Sequence, residues 1–105
     1  MLSVAFSKVR EGEVDRLRAW GRELMKRPDE VRETFRHEGV RHEMSHLIRT
    51  NDGWVLVRTA DVEDWDQALK AYAASDLPID TEHRQVMDAA LDGTFSAELI
   101  YECSL

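Results

Sequence analysis

Apolar residues recur along this chain with two different periods, and the change of period predicts where strands give way to helices. Strict alternation of apolar and polar residues is typical of a half-buried strand. Four segments show it or read as short apolar runs between turn signals. The predicted strands are residues 2–9, 41–50, 54–59 and 97–103.

The segments between the strands carry apolar residues every three to four positions, which predicts helices. The first helix starts at Glu13, is interrupted by Pro28, and resumes until Gly39 ends it. The next follows Asp61 as a capping residue. The last presents one apolar face and ends at Asp92-Gly93; the residues of this face are Ile79, His83, Val86 and Ala90.

The order of elements is strand, broken helix, strand, strand, helix, helix, strand. This order predicts a single α+β domain over residues 1–105, a ferredoxin-like split βαβ sandwich with helices on one face of a four-stranded antiparallel sheet. The strands carry apolar residues on both sides, so the second face of the sheet also needs a cover. Two copies stacked through their open faces would supply it, and we therefore expect a homodimer.

Composition narrows the class of protein. The chain has 105 residues and a net charge of −7 without an isolated basic cluster, so nucleic acid and anionic membrane are not expected as partners. The apolar start is broken at Ser7 and Lys8, so we expect a strand there and not a signal peptide, in a cytoplasmic protein. Cys103 has no second cysteine to pair with, and we expect a buried, inert thiol.

Residues 42–46 spell HExxH, the zinc protease motif, which requires a helix that brings both histidines to one face. Here the segment precedes the turn Asn51-Asp52-Gly53 and a clear strand, so we expect a strand instead. In a strand, His42 and His46 would lie roughly 13 Å apart, too far for one zinc ion. We therefore expect no metal at this motif.

The length of the hairpin turn decides which side chains of the second strand share a face with the third. A two-residue turn places Glu43 beside Arg58, whereas a three-residue turn places the histidines there. We favour the first, with Ile48, Val55 and Val57 packed against the helices. Glu43 then either pairs with Arg58 across the strands or contacts a ligand.

The densest group of ionisable residues is the stretch 75–84, at the start of the last predicted helix. Asp80 precedes His83 by three residues, which is close to one helical turn. The Asp80 carboxylate could orient the imidazole and raise its basicity, leaving the other nitrogen as a general base. Asp80 could equally cap the helix, and His83 could be a histidine of the core.

The chain resembles a family of small bacterial proteins of unknown function that is grouped with the dimeric α/β-barrel superfamily. The resemblance is carried by residues 13–18, by Arg41-His42-Glu43, and above all by the stretch from Ser75 to His83. It implies a ferredoxin-like protomer, a homodimer with its sheets face to face, and a pocket between sheet and helices. It implies no single activity, and it favours Glu43, Asp80 and His83 as polar groups of the pocket.

These observations lead to two hypotheses. The first is a small-molecule-binding protein, whose enzymatic form would be a cofactor-independent isomerase, cyclase or monooxygenase working by proton transfer. His83 would be the acid/base and Asp80 its orienting partner, while the ligand would contact Glu43, Trp54 and Arg58. No cofactor is expected, since the sequence has no cofactor motif. The alternative is a non-catalytic dimeric module for binding or assembly.

Overall fold

Four strands and four helices make up the chain, and the computed structural model describes residues 1–105 throughout. In chain order the elements are β1 (Leu2–Val9), α1 (Val14–Met25), α2 (Pro28–Glu38), β2 (Val40–Thr50), β3 (Gly53–Val62), α3 (Trp65–Ala74), α4 (Pro78–Ala90) and β4 (Leu91–Phe95).

The helix boundaries follow local chemistry. Pro28 stands in the first turn of α2, where the missing N–H costs no helical hydrogen bond, so it starts a helix as well as interrupting the previous one. Gly39 ends α2 in the left-handed conformation at φ 72°, as the sequence predicted. The cap of α3 is Asp64, whose carboxylate accepts from the backbone N–H of Gln67 at 3.1 Å. The predicted cap, Asp61, is wrong because β3 continues through it.

The four strands form one antiparallel sheet in the order β2-β3-β1-β4. The β2–β3 hairpin closes at Thr50 and Gly53, so its loop is the two residues Asn51 and Asp52. The fold is therefore α+β with a four-stranded antiparallel sheet, and residues 42–46 lie in a strand, as predicted. Directly paired residues point to the same side of an antiparallel sheet, so the register fixes which side chains share a face.

The helices cover one face of this sheet. Its buried residues lie on β1 and β3, and they are Ser7 and Val9 of β1 and Leu56, Ala60 and Val62 of β3. Val9 and Leu56 join Leu17 of α1 and Ala90 of α4 in the hydrophobic core.

The opposite face of the sheet is open. It presents Leu2, Val4, Met44, Ile48 and Phe95, which are between 46% and 67% exposed. The register puts Val55 and Val57 on this open face too, so the expectation that they and Ile48 pack against the helices is wrong. The face assignment of Glu43 and Arg58 was correct, but that face is the covered one.

The last strand lies earlier than predicted and contains Asp92-Gly93, which were wrongly predicted to end the preceding helix; α4 already ends at Ala90. β4 covers Leu91–Phe95 and pairs with β1 through Phe6 and Phe95, whereas the predicted strand at 97–103 falls on residues that belong to no helix or strand. All residues from 96 to 105 are exposed, Cys103 among them, so the expected burial of that thiol is wrong. A strand needs an edge to pair with, and the chain offers this segment none in its present path.

None of the four helices combines the length and the apolar character that crossing a membrane requires.

Candidate functional site

A cluster of polar side chains lies on the covered face of the sheet, where an apolar core would be expected. β2 contributes Glu43 and β3 contributes Arg58, while α2, α3 and α4 contribute Glu38, Tyr72 and His83. The charge of at least one other member of the set contributes to the pKa shifts of Glu38, Glu43, Tyr72 and His83. Buried ionisable groups are costly to a fold, and clusters of them mark candidate functional sites.

His83 is held by a residue that the sequence did not single out. The indole Nε1–H of Trp20, on α1, donates to His83 Nδ1 at 2.9 Å. Since Nδ1 accepts, the neutral imidazole carries its proton on Nε2. Burial and the neighbouring Arg58 lower the pKa of His83 to about 4, so the ring is neutral at physiological pH. His83 therefore presents an N–H donor to the cluster, and its Nε2–H makes no hydrogen bond within the chain.

Asp80 does not orient His83, contrary to the expectation from their spacing. One of its carboxylate oxygens accepts from the Ser75 hydroxyl at 2.5 Å, and both approach the Thr34 hydroxyl at 2.7 and 2.8 Å. Asp80 is only 4% exposed. Its side chain therefore ties α2 to the α3–α4 junction, and the spacing of three residues along α4 did not bring it into contact with the imidazole.

Thr34 links Asp80 to a second carboxyl group, that of Glu38. The Thr34 hydroxyl lies 2.8 Å from Glu38 Oε1 as well as from Asp80. A hydroxyl has one hydrogen to donate, so it can serve one carboxylate and accept from a protonated carboxylic acid. Burial and the Asp80 and Glu43 charges raise the pKa of Glu38 to about 7. The arrangement fits a chain in which protonated Glu38 donates to Thr34, and Thr34 donates to Asp80.

Arg58 has a donor that the protein leaves without an acceptor. One terminal nitrogen donates to the Ser7 hydroxyl at 3.2 Å, but Nε is buried and has no hydrogen-bond partner. No other buried side-chain nitrogen or oxygen in the chain lacks a hydrogen-bond partner. An unpaired buried donor costs about 1–3 kcal/mol, more when it is charged, so this nitrogen is a candidate donor to water or to a bound molecule.

Glu43 lies diagonally across the strands from Arg58, since Ser45 is the residue directly opposite Arg58. The surrounding protein raises the pKa of Glu43, and the Arg58 charge lowers it by less. The residue is nevertheless exposed in the single chain because β2 is an edge strand. The rest of the chain therefore shields one side of the Glu43 carboxylate from water, while water reaches the other side at the edge of β2.

Tyr72 completes the polar cluster. Its ring meets the His83 imidazole edge-on at 6.0 Å between centroids, and burial raises the pKa of its hydroxyl to about 12. Arg84 donates to the carbonyl oxygens of Tyr72 and Ser75 at 2.7 and 2.8 Å. These two bonds fix the α3–α4 junction that carries Tyr72. The hydroxyl of Tyr72 is neutral at physiological pH because burial raises its pKa.

Trp54 was predicted to contact the same ligand, but the structure places it elsewhere. It packs against the hydrophobic core, and the guanidinium carbon of Arg18 lies 5.3 Å from the centre of its ring. It lies four positions before Arg58 in β3, which is roughly 13 Å along a strand. Trp54 is therefore joined to α1 and makes none of the contacts that hold the polar cluster.

A surface groove of about 470 Å³ reaches the cluster at Arg58. It runs between α4 and the β1–β4 edge, and its lining includes Ser7, Arg10 and Met87. A second depression, of about 350 Å³, lies beside Arg27 and Leu77. There the arginine already pairs with Glu30 and Glu82 at 2.6 Å each, so its charge is satisfied by the chain itself. We therefore assign the candidate site to the groove that ends at Arg58.

Comparison with known proteins identifies the family. A family model described as "Family of unknown function (DUF6176)" matches residues 2–105. The chain belongs to this family. No curated protein and no solved structure matches the chain. The family brings no activity with it, so the chemistry of the site has to be argued from its residues.

Sequence reasoning placed Glu43, Arg58 and His83 in one site of this DUF6176 member, and the structure brings these three together. It missed Trp20, Glu38 and Tyr72, because each of them reads as part of an ordinary helix. A signal was present for Glu38, which is a carboxylate in the last turn of a helix, where the helix dipole disfavours negative charge.

The structure offers no group of three or more His, Cys, Asp or Glu side chains arranged to hold a metal ion. His42 and His46 lie on the open face of β2, on the side of the sheet away from the polar cluster. They are therefore separate from the candidate site.

Proposed function

We propose that this protein binds a small molecule with a carbonyl group in the polar cluster and transfers a proton on it without a cofactor. The observation that carries this proposal is the unpaired, buried Nε of Arg58, in a cluster that also holds the unpaired Nε2–H of His83. Two fixed donors without a protein acceptor suit an oxygen atom that becomes negatively charged during a reaction. The reaction class that these groups support best is isomerisation through an enolate.

In this proposal His83 is a donor and not a base. Its Nδ1 is occupied by the Trp20 N–H, and its pKa of about 4 keeps the ring from carrying a charge near neutral pH. A neutral imidazole N–H can hydrogen-bond a carbonyl oxygen and stabilise the enolate, while Arg58 supplies the positive charge. The roles first expected of His83 and Asp80 thus change: Asp80 positions Thr34, and Trp20 positions His83.

The proton-transfer groups are then the two carboxyls, Glu38 and Glu43. Glu38, with a pKa of about 7, can both take and return a proton near neutral pH. A carboxylate would remove the proton from the carbon next to the carbonyl, and the electron pair would move to the oxygen held by Arg58 and His83. Return of the proton to a different atom completes an isomerisation with no electron gained or lost.

The test uses simple carbonyl acids as probes: pyruvate, 2-oxobutyrate and levulinate in deuterium oxide. We expect the protein to accelerate exchange of the hydrogens next to the carbonyl, with a rate that rises with pH through about 7 as Glu38 ionises. Proton NMR follows the loss of signal. Glu38→Gln is expected to slow the exchange by roughly 100-fold or more, the range of a lost general base.

Asp66→Asn serves as the matched control, since Asp66 is an exposed carboxylate of α3 that lines neither depression. It should exchange like the wild type. If no probe exchanges faster with protein than without, and none shifts the amide signals of Arg58 or His83, the enzymatic proposal is wrong. Binding without exchange would favour the non-catalytic alternative.

We also propose that the fold is the ferredoxin-like sandwich of the dimeric α/β-barrel superfamily. β1 and β2 are joined through α1 and α2 and lie on either side of β3, while β3 and β4 are joined through α3 and α4 and lie on either side of β1. Two interleaved units of this kind are the split βαβ arrangement, which supports the assignment.

The same proposal includes a homodimer, and the surface of the single chain supports it. The chain exposes 7766 Å², whereas a folded monomer of its mass is expected to expose about 6,000 Å². The radius of gyration of 14.2 Å likewise exceeds the roughly 13 Å expected for a compact domain of this length. The excess of about 1,700 Å² per chain is enough for an obligate dimer interface.

Sedimentation at micromolar concentration tests this dimer. We expect twice the chain mass of 12.1 kDa, and a melting temperature that rises with protein concentration. Ile48→Lys places a charge on the open face and should give monomers. Met25→Lys, at an exposed position of α1, should leave the dimer intact. A wild-type monomer that melts independently of concentration would refute the dimer.

The alternative function is the non-catalytic dimeric module for binding or assembly. The observation that favours it is the open apolar face itself, which can be covered without any chemistry in the polar cluster. Both functions are consistent with the cytoplasmic location expected from the sequence, and neither calls for nucleic acid or membrane, given the net charge of −7.

A further inference from the structure

Residues 96–105, which we call the arm, leave their side chains and their backbone polar groups open to water. All ten are exposed, and their backbone amides and carbonyls make no hydrogen bond with the rest of the chain. Leu99, Ile100 and Tyr101 are 74%, 87% and 79% exposed. Large apolar side chains in such numbers are normally removed from water by a partner surface.

The sequence of the arm is that of a strand. Apolar residues occupy alternate positions, and Glu98, Ile100 and Glu102 lie between them; the alternating apolar set is Ala97, Leu99, Tyr101 and Cys103. A period of two places this set on one side of a strand. A strand also needs a neighbouring edge for its backbone groups, so the missing partner is another strand.

The arm does not pair with an edge of its own sheet. The arm leaves the sheet directly after Phe95, although β1 still has an unpaired edge beyond Phe6. The other free edge is β2, which lies three strand spacings from β4, or about 14 Å. Crossing that distance would use roughly four of the ten residues before pairing began, so the arm cannot line its own β2 along its length.

We propose that the arm of one copy adds as an antiparallel strand to the free β2 edge of a second copy. Residues 96–105 are enough to pair with most of the eleven residues of β2. This inference rests on the dimer proposed above but not on the enzymatic chemistry. It also goes beyond that dimer, because it adds strand pairing at the edges to stacking of the open faces.

Charge and apolar character select one register. With Glu98 opposite Arg49, Ile100 falls opposite Leu47 on the same side. Arg49 makes no salt bridge within its own chain, so this pairing gives it one. On the other side Leu99 falls opposite Ile48, and Cys103 opposite Met44. These side chains then lie between the stacked sheets, away from water.

This register has a consequence for the candidate site. The end of the arm would run beside Glu43, which is exposed in the single chain because its strand is an edge. The partner copy would thereby close the site on the β2 side. The groove at Arg58 would remain the route by which a small molecule enters.

The native Cys103 allows a direct test, because it is the only cysteine in the chain. Directly opposite residues of antiparallel strands have their Cα atoms about 4.5–5.5 Å apart, within the range that a disulfide spans. Mild oxidation of Met44→Cys should therefore give a covalent dimer, doubling the apparent mass of 12.1 kDa on a non-reducing gel. Ser45→Cys, whose side chain points to the other side of β2, should give much less.

Met44→Cys with Cys103→Ser separates the 44–103 bond from a bond between two copies of residue 44, and should lose the covalent dimer. A dimer by sedimentation that does not cross-link in Met44→Cys would overturn the arm pairing and leave the stacked dimer standing. A bond between residues 44 and 103 of one chain would overturn exchange between copies. A monomer by sedimentation would overturn both proposals.

Discussion

Replacing Asp80 by alanine is expected to lower the free energy of unfolding by about 3–5 kcal/mol, the range for breaking a buried, charge-assisted network. Asp80 is 4% exposed and accepts from the hydroxyls of Thr34 and Ser75. Its removal leaves the Ser75 hydroxyl without its acceptor and unties α2 from the α3–α4 junction. Urea unfolding would show the loss as a lower midpoint with an unchanged slope.

The matched control is Asp76→Ala, an exposed aspartate in the same junction. It should change stability by less than about 0.5 kcal/mol, as surface substitutions usually do. Thr34→Val should reproduce part of the Asp80→Ala loss, because it removes the hydroxyl shared by Asp80 and Glu38. An Asp80→Ala protein as stable as the control would contradict the structural role given to this carboxylate.

The pH dependence of stability should reveal His83 and Glu38 as two opposing contributions. His83 has a folded pKa of about 4, below its usual 6.5, so it stabilises the fold above pH 6.5 and this contribution is lost as the pH falls toward 4. Glu38 has a folded pKa of about 7, above its usual 4.5, so its contribution is present at low pH and is lost as the pH rises through 7.

Between about pH 4.5 and 6.5 these slopes oppose each other, so the wild-type stability should change little from these two groups. Glu38→Gln should unmask the His83 slope, with stability rising by up to about 3 kcal/mol across this interval at 1.36 kcal/mol per unit of pKa. His83→Gln should unmask the opposite and smaller slope, since Glu38 is partly accessible to solvent. Urea midpoints of the three proteins at several pH values check this. Parallel pH profiles for all three would show that neither pKa is shifted.

Much of the fold was predictable because it depends on local chemistry. Pro28 can start a helix but cannot continue one, and Gly39 can adopt the positive φ that ends it. The short turn of the β2–β3 hairpin fixed that Glu43 and Arg58 share a face. The same reasoning misplaced β4, because alternation at 97–103 marks a strand without saying whether a partner is within reach.

The site was predictable only in part. Glu43, Arg58 and His83 followed from the hairpin register and the helical face. The expected Asp80–His83 contact was wrong because two residues one turn apart on a helix meet only if their rotamers and neighbours allow it. Thr34 and Ser75 bind Asp80 first, and Trp20 from α1 reaches His83 instead. Thr34 is 46 residues from Asp80 and Trp20 is 63 residues from His83, beyond the reach of any local pattern.

The sequence by itself thus determined the four helices, three of the four strands and which residues of β2 and β3 share a face, since these depend on backbone preference and on periods of two and 3.6 residues. Only the tertiary structure decided which groups meet under the helices, that His83 is a neutral donor, and that Glu38 holds its proton to about pH 7. Burial and the proximity of charges set those properties, and both arise when elements distant in the chain pack together.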